Sequence, residues 1–332
     1  MRFPIQLNAS LTAYLIKKKM AGEKRFPLVL MLEPLHKCNL ACVGCGRIRE
    51  YKDTLADTMT LKQCLDAVVE CGAPVISICG GEPLLYPQIG ELVQGVLDLK
   101  RHIYLCTNAI ELEKSLDKFK PSQYLNLNFS IDGMAENQDS SRNRKGIFEL
   151  QIKAMREAKR RGFRVVVNTT LYKESDVLEI EKLFDLLTEI GVDGIEVTPG
   201  FNYDAVGKDI FLDRQQTHEK FRHIAKIAHK YRLFNTPLYM KFLTGERHLD
   251  CTPWGNATVG PQGWKGPCYL ITDGHYKSYK ELMGNTDWDR FVKREDPRCA
   301  NCMVHSGCEA TAVREVGKSF RDVIDIIKWN LA

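Results

Sequence analysis

"HKCNLACVGCGR", residues 36–47, carries Cys38, Cys42 and Cys45 with three residues between the first two thiols and two between the last two. Thiolates are ligands for iron–sulfur clusters and for zinc, and a structural zinc site closes with four Cys or His ligands. Only three thiols are present here, and His36 stands too near Cys38 to serve comfortably as a fourth. The triplet therefore suits a [4Fe–4S] cluster whose fourth iron lacks a protein ligand, with zinc as the alternative. What surrounds the loop decides between them.

The chain has 332 residues, room for one α/β barrel and an appendage. Its 44% hydrophobic and 27% charged residues are those of a globular protein, without repeats or low-complexity tracts. No run of eighteen uncharged apolar residues and no secretory signal pattern occurs, which predicts a cytoplasmic protein. A net charge of +5, dispersed along the chain, does not argue for nucleic acid. Twelve cysteines in such a chain point to metal or redox chemistry rather than disulfides.

Around the loop, short aliphatic and β-branched runs at 27–33, 74–79, 102–106, 124–132, 163–171 and 194–200 read as strands. Helical patterns at 60–71, 87–99, 146–161 and 177–190 separate several of them. Such β–α repeats imply a parallel sheet closing into a partial (β/α)6 barrel, with the chemistry at the C-terminal strand ends. Those ends carry the cysteine loop, "CGGEP" (79–83), "CTNA" (106–109), Ser130 and Asp132, Asn168 and Thr169, and then Thr198, Pro199 and Gly200. Gly80 and Gly81 permit close backbone approach, and Glu82 before Pro83 ends the turn.

CxxxCxxC after the first strand with GGEP after the second resembles the radical S-adenosylmethionine (SAM) superfamily, over about residues 27–200. The resemblance implies that SAM binds the open iron of the Cys38, Cys42 and Cys45 cluster and is cleaved to a 5′-deoxyadenosyl radical by an electron from a donor such as flavodoxin or ferredoxin. It assigns Gly80, Gly81 and Glu82 to the methionine amino group, and places Asn108, Ser130, Asp132 and Asn168 among the SAM contacts. Asp139, Arg142 and Gly146 match a "DxxR…G" stretch whose arginine meets the methionine carboxylate, a fit for a guanidinium fork. Gly44 departs from the pattern, which often has an aromatic residue before the third cysteine.

Cys251, Cys268, Cys299, Cys302 and Cys308, spaced around Gly263, resemble a truncated form of the SPASM auxiliary-cluster extension, with Ala312 at the next expected cysteine. One auxiliary iron–sulfur cluster, a zinc site or reduced thiols remain open for this group. Residues 1–26 are expected to form an N-terminal amphipathic helix, 27–235 the core and 236–332 the cysteine-containing extension. "CGAPVISICGGEPLLY", "YLCTNA", "DCTPWGN" and "GCEATAV" resemble the adenosylhopene synthase family of hopanoid biosynthesis. That likeness implies addition of the 5′-deoxyadenosyl carbon to the alkene of diploptene, a hydrophobic triterpene. Cys106, at the end of the third strand, is then the candidate hydrogen-atom donor. A bilayer substrate predicts peripheral contact at the inner face of the membrane, through residues 10–25 or the stripe of Phe320, Val323, Ile324, Ile327 and Leu331. A peptide-modifying enzyme of the SPASM type and a non-catalytic metal-binding module are the alternatives.

Overall fold

The computed structural model describes residues 2–331. Six parallel strands form in the expected places: β1 (Val29–Leu32), β2 (Val75–Ile78), β3 (His102–Thr107), β4 (Leu125–Ser130), β5 (Arg164–Leu171) and β6 (Gly194–Pro199). An N-terminal helix, α1 (Ile5–Met20), precedes them, and α2 (Leu61–Cys71), α3 (Ile89–Asp98), α4 (Ala135–Ser141), α5 (Ile147–Arg160) and α6 (Val177–Ile190) cross between them. Local chemistry sets their ends. Thr60 and Gln63 cap α2 reciprocally and Gly72 ends it at φ 67°, while the Asp176 side chain accepts from Leu178 N at the start of α6 and Gly191, at φ 78°, ends it.

Along each strand alternate side chains serve opposite faces. Leu30, Leu32, Ile76, Ile78, Leu105, Leu127 and Phe129 join α2, α3 and α5 in the main core, each burial contributing about 1.5–3 kcal/mol. Met31, Ser77, Tyr104, Asn128 and Glu196 occupy the intervening positions and line the barrel interior.

After β6 come α7 (Arg214–Ile227), α8 (Pro237–Leu243), the strands β7 (Asn256–Gly260), β8 (Gly263–Pro267) and β9 (Thr272–Tyr276), α9 (Tyr279–Asn285), α10 (His305–Glu315) and α11 (Phe320–Leu331). This extension continues the core sheet. β7 pairs in parallel with β1, and β8 and β9 follow antiparallel, so nine strands run in the order β6-β5-β4-β3-β2-β1-β7-β8-β9. Helix α10 spans the gap between the barrel's two sides. His305 N donates to Thr198 Oγ1 at the end of β6 (3.3 Å), while Ala310 lies so close to Gly255, just before β7, that a Cβ there would stand 2.5 Å from it.

Helix α1 occupies Ile5–Met20 within the segment expected to form an N-terminal amphipathic helix. Leu7, Leu11 and Leu15 face the protein interior, whereas Ile5, Ile16 and Met20 are exposed on the other side.

Candidate active site

The cysteine loop is built onto the glycine strip of β2. Cys79 N donates to Leu32 O, Gly81 N to Leu35 O and Glu82 N to Lys37 O (2.8, 3.0 and 2.9 Å), extending the β1–β2 ladder into the loop. A Cβ on Gly81 would fall 2.1 Å from Lys37 O, and one on Gly80 2.6 Å from Leu35 O at φ +102°. What the glycines approach most closely is thus the backbone that carries Cys38. Both oxygens of buried Glu82 are occupied: Oε1 accepts from Thr107 Oγ1 and Leu84 N, and Oε2 from Asn108 N. Burial raises its pKa to about 7 against these hydrogen bonds. Glu82 therefore fixes the end of β3 and, with Gly80 and Gly81, borders the cavity that the cysteine loop faces.

Cys38, Cys42 and Cys45 line a mouth of about 1490 Å³, counting space open to solvent, together with Gly80, Gly81, Cys106, Asn108, Ser130, Arg142 and Asn168. Burial pushes the Cys38 thiol up to about 12, and it also raises Cys42, where neighbouring Arg142 opposes the rise. Thiolates there need a compensating cation, which iron supplies. Among the described residues no three His, Cys, Asp or Glu side chains converge as ligands of one metal ion. A four-iron cube takes its thiolates at separate corners, and a loop offering three thiols fits it. His36, buried and stacked on Tyr51 with centroids 3.8 Å apart, faces Glu33 rather than the mouth.

Arg142 is 12% exposed, with Nη2 2.8 Å from Asp132 Oδ2 and donating to Ser130 O (3.0 Å). Burial alone would lower its pKa; Asp132 and Cys42 outweigh that and push it further up. Asp132 was expected among the SAM contacts, but it does not line the mouth. Its carboxylate holds Arg142 and accepts from Thr170 N (2.9 Å), which makes it a positioning residue. Asp139 and Gly146 are structural as well: the Asp139 carboxylate accepts from Gly146 N and Phe148 N at the start of α5. Asn168 Oδ1 is buried without a hydrogen-bond partner.

Two aromatic residues escaped the sequence reading. A Cβ on Gly44 would stand 2.8 Å from Tyr172 Oη, and one on Gly46 2.3 Å from the Tyr203 ring. The aromatic surface missing before Cys45 thus arrives from the end of β5 and from beyond β6, and both tyrosines line the mouth. Gly44 was the signal that could have found Tyr172.

Below the mouth lies a second chamber of about 1660 Å³, again counting open space. Met31, Ser77, Asn128, Glu196 and His305 border both chambers and form a waist between them. Cys106 sits at this waist, its Sγ 3.5 Å from Ser77 Oγ and 3.5 Å from Asn128 Nδ2. Burial raises its pKa and keeps it a neutral thiol. The lower chamber is mainly apolar, walled by Leu7, Leu11, Leu28, Val29, Phe234 and Ile326 among others. Of the remaining thiols, Cys64 and Cys71 are core residues, and Cys79 borders the mouth.

The second cysteine group forms its own pocket of about 500 Å³, counting its opening, lined by Cys251, Cys268, Cys299, Cys302 and Arg294. Cys308 does not line it; its Sγ lies 3.4 Å from Arg294 Nη2. Phe201, Tyr269, Leu270 and Val304 separate this pocket from the mouth.

Residues 32–187 match the model of the radical SAM superfamily, and residues 195–326 that of a domain of unknown function, DUF3463. The AdoMet-dependent heme synthase of Methanosarcina barkeri (strain Fusaro / DSM 804) is 31% identical over 50% of this chain, which spans 48% of that relative's length. The Fe-coproporphyrin III synthase of the same organism is 28% identical over 82% of this chain and 80% of its own. The PqqA peptide cyclase of Gluconobacter oxydans (strain 621H) is 24% identical over 79% and 76%. Among solved structures, Streptococcus suis SuiB bound to S-adenosylmethionine shares the fold, with a TM-score of 0.67 and 18% identity over 90% of this chain and 77% of its own. The chain is therefore similar over residues 32–187 to the radical SAM superfamily, whose members work with a [4Fe–4S] cluster and S-adenosylmethionine, and over residues 195–326 to DUF3463.

Proposed function

We propose that this protein joins the 5′-deoxyadenosyl group of SAM to the terminal alkene of diploptene, forming an adenosylhopane. The observation that carries this reading is the lower chamber: a large apolar space that meets the polar mouth at a waist occupied by a neutral thiol. Apolar walls with a few polar groups at one end suit a rigid hydrocarbon presenting its reactive end to the mouth.

In this reading Cys38, Cys42 and Cys45 hold the SAM-binding cluster, and Cys251, Cys268, Cys299 and Cys302 an auxiliary one. When bound, the reduced cluster and SAM supply the 5′-deoxyadenosyl radical, whose addition to the alkene leaves an unpaired electron on a tertiary carbon. Arg142, held charged by Asp132, takes the methionine carboxylate. Asn168 offers its unpartnered Oδ1 to a hydroxyl or amine of SAM, with Ser130 beside it in register on β4. Tyr172 provides a ring face for the adenine in place of the side chain missing at Gly44. Cys106 gives its S–H hydrogen atom to the tertiary carbon, and the resulting thiyl is restored by one electron from the reductant and one proton.

Modification of a peptide is the second reading, favoured by the similarity to the PqqA peptide cyclase. Incubating the reduced, cluster-loaded protein with SAM and diploptene distinguishes them by mass spectrometry. Adenosyl adduct formation is expected; release of 5′-deoxyadenosine with the alkene intact contradicts the proposal.

A further inference from the structure

The lower chamber reaches the end of the barrel opposite the SAM mouth. Val29, Val75 and Asn256, the first residues of β1, β2 and β7, line it. Helices α1 and α11 cover this end. They meet where Arg2 Nε donates to Trp329 O (2.8 Å) and the Phe3 ring packs against Trp329, and their inner faces supply Leu7, Leu11, Leu15, Ile326 and Trp329 to the chamber wall.

The outer faces of the same helices are also apolar. On α11, Phe320, Ile327 and Leu331 are 81%, 52% and 66% exposed, and at 100° per residue they fall within about 40° of arc. On α1, Ile5, Ile16 and Met20 are 59%, 54% and 84% exposed and fall within about 60°. Basic residues border both stripes. Helix α1 ends in Lys17, Lys18 and Lys19 and contains no acid, although Lys18 pairs with Glu23 beyond it. Arg321 and Lys328 are exposed on α11, whereas Asp322 and Asp325 are engaged by Arg247 and Lys241 (2.9 and 2.8 Å). Paired apolar stripes with a positive border complement an anionic bilayer.

We propose that α1 and α11 dock on an anionic membrane surface and that the apolar substrate passes from it between these helices into the lower chamber, while SAM enters from the opposite mouth. This rests on the reading above only for the substrate's apolar character. Both reactants then meet at the waist without sharing an entrance.

The test uses the full chain with phosphatidylcholine vesicles containing or lacking phosphatidylglycerol, first without substrate. Sedimentation is expected with the anionic vesicles, weakened about tenfold or more in F320E/I327E/L331E and separately in K17E/K18E/K19E, and reduced by salt. Diploptene embedded in those vesicles should be converted at least about tenfold more slowly by both variants, with detergent-dispersed diploptene converted at the wild-type rate. Failure of the wild type to bind anionic vesicles overturns the proposal, as does wild-type conversion of embedded substrate by both variants. Light scattering that shows F320E/I327E/L331E dissociating a dimer, with vesicle binding unchanged, would assign the stripe to a second copy instead. Vesicle binding as described, with no conversion of diploptene in either form, leaves the docking surface standing and removes the diploptene reading.

Discussion

The two cysteine groups use one ligand chemistry in two opposite ways. The first offers three thiols on a loop facing a wide mouth, backed by a glycine strip too tight for any side chain. The second gathers four thiols around a pocket about one third as large, walled by Arg294 and apolar residues, with a fifth just behind it. Ligand number and enclosure, more than ligand type, distinguish a site suited to keeping a position for a substrate from one suited to closing on a metal. Phe201, Tyr269, Leu270 and Val304 line both pockets, so the two cysteine groups share a wall.

The contrast breaks most visibly if ligands are removed. Cys42→Ala should abolish SAM cleavage and remove about four irons per chain while the thermal midpoint barely moves; retained cleavage would show that the loop is not the reactive site. Cys251→Ala with Cys302→Ala should do the reverse. Iron again falls, but SAM cleavage persists at a reduced rate and the midpoint drops by on the order of 5 °C, because a closed metal site contributes folding free energy. Equal loss of cleavage in both variants would mean that the two sites work as one.

A subtler change tests the scaffold under the first loop. Gly81→Ala puts a Cβ 2.1 Å from Lys37 O, and the displaced loop should cleave SAM about 10- to 100-fold more slowly with its iron still bound. Smallest in effect, Tyr172→Ala should raise the KM for SAM about three- to tenfold with little change in kcat, the worth of one aromatic contact. An unchanged KM would remove Tyr172 from the adenine site.

Legibility followed the range of the interactions. The six core strands, the cysteine triplet and the glycine strip rest on local patterns: β-branched runs, thiol spacing and a turn that admits no Cβ. Arg142 was legible as a carboxylate fork, but its partner Asp132 read as a ligand contact because a single sequence does not show which way a carboxylate turns. The long-range features were hidden. Pairing of β7 with β1, the bridging of β6 and β7 by α10, and the lower chamber all depend on residues far apart in the chain. Tyr172 left a trace only as the glycine it packs against, 128 positions earlier. The stripe on α11 was readable from its spacing, whereas its exposure depended on which face the rest of the fold would leave uncovered.

In the proposed reaction a radical formed in the mouth crosses the waist into an apolar substrate and is quenched there by the Cys106 hydrogen. Running the reaction in D2O tests it directly, since a thiol exchanges its hydrogen with solvent while carbon-bound hydrogens do not. Adenosylhopane carrying one deuterium at the tertiary carbon is expected, with loss of this single-site labelling and unreduced or stereochemically mixed product in Cys106→Ala. Deuterium-free product from the wild type, or identical labelled product from Cys106→Ala, would contradict it.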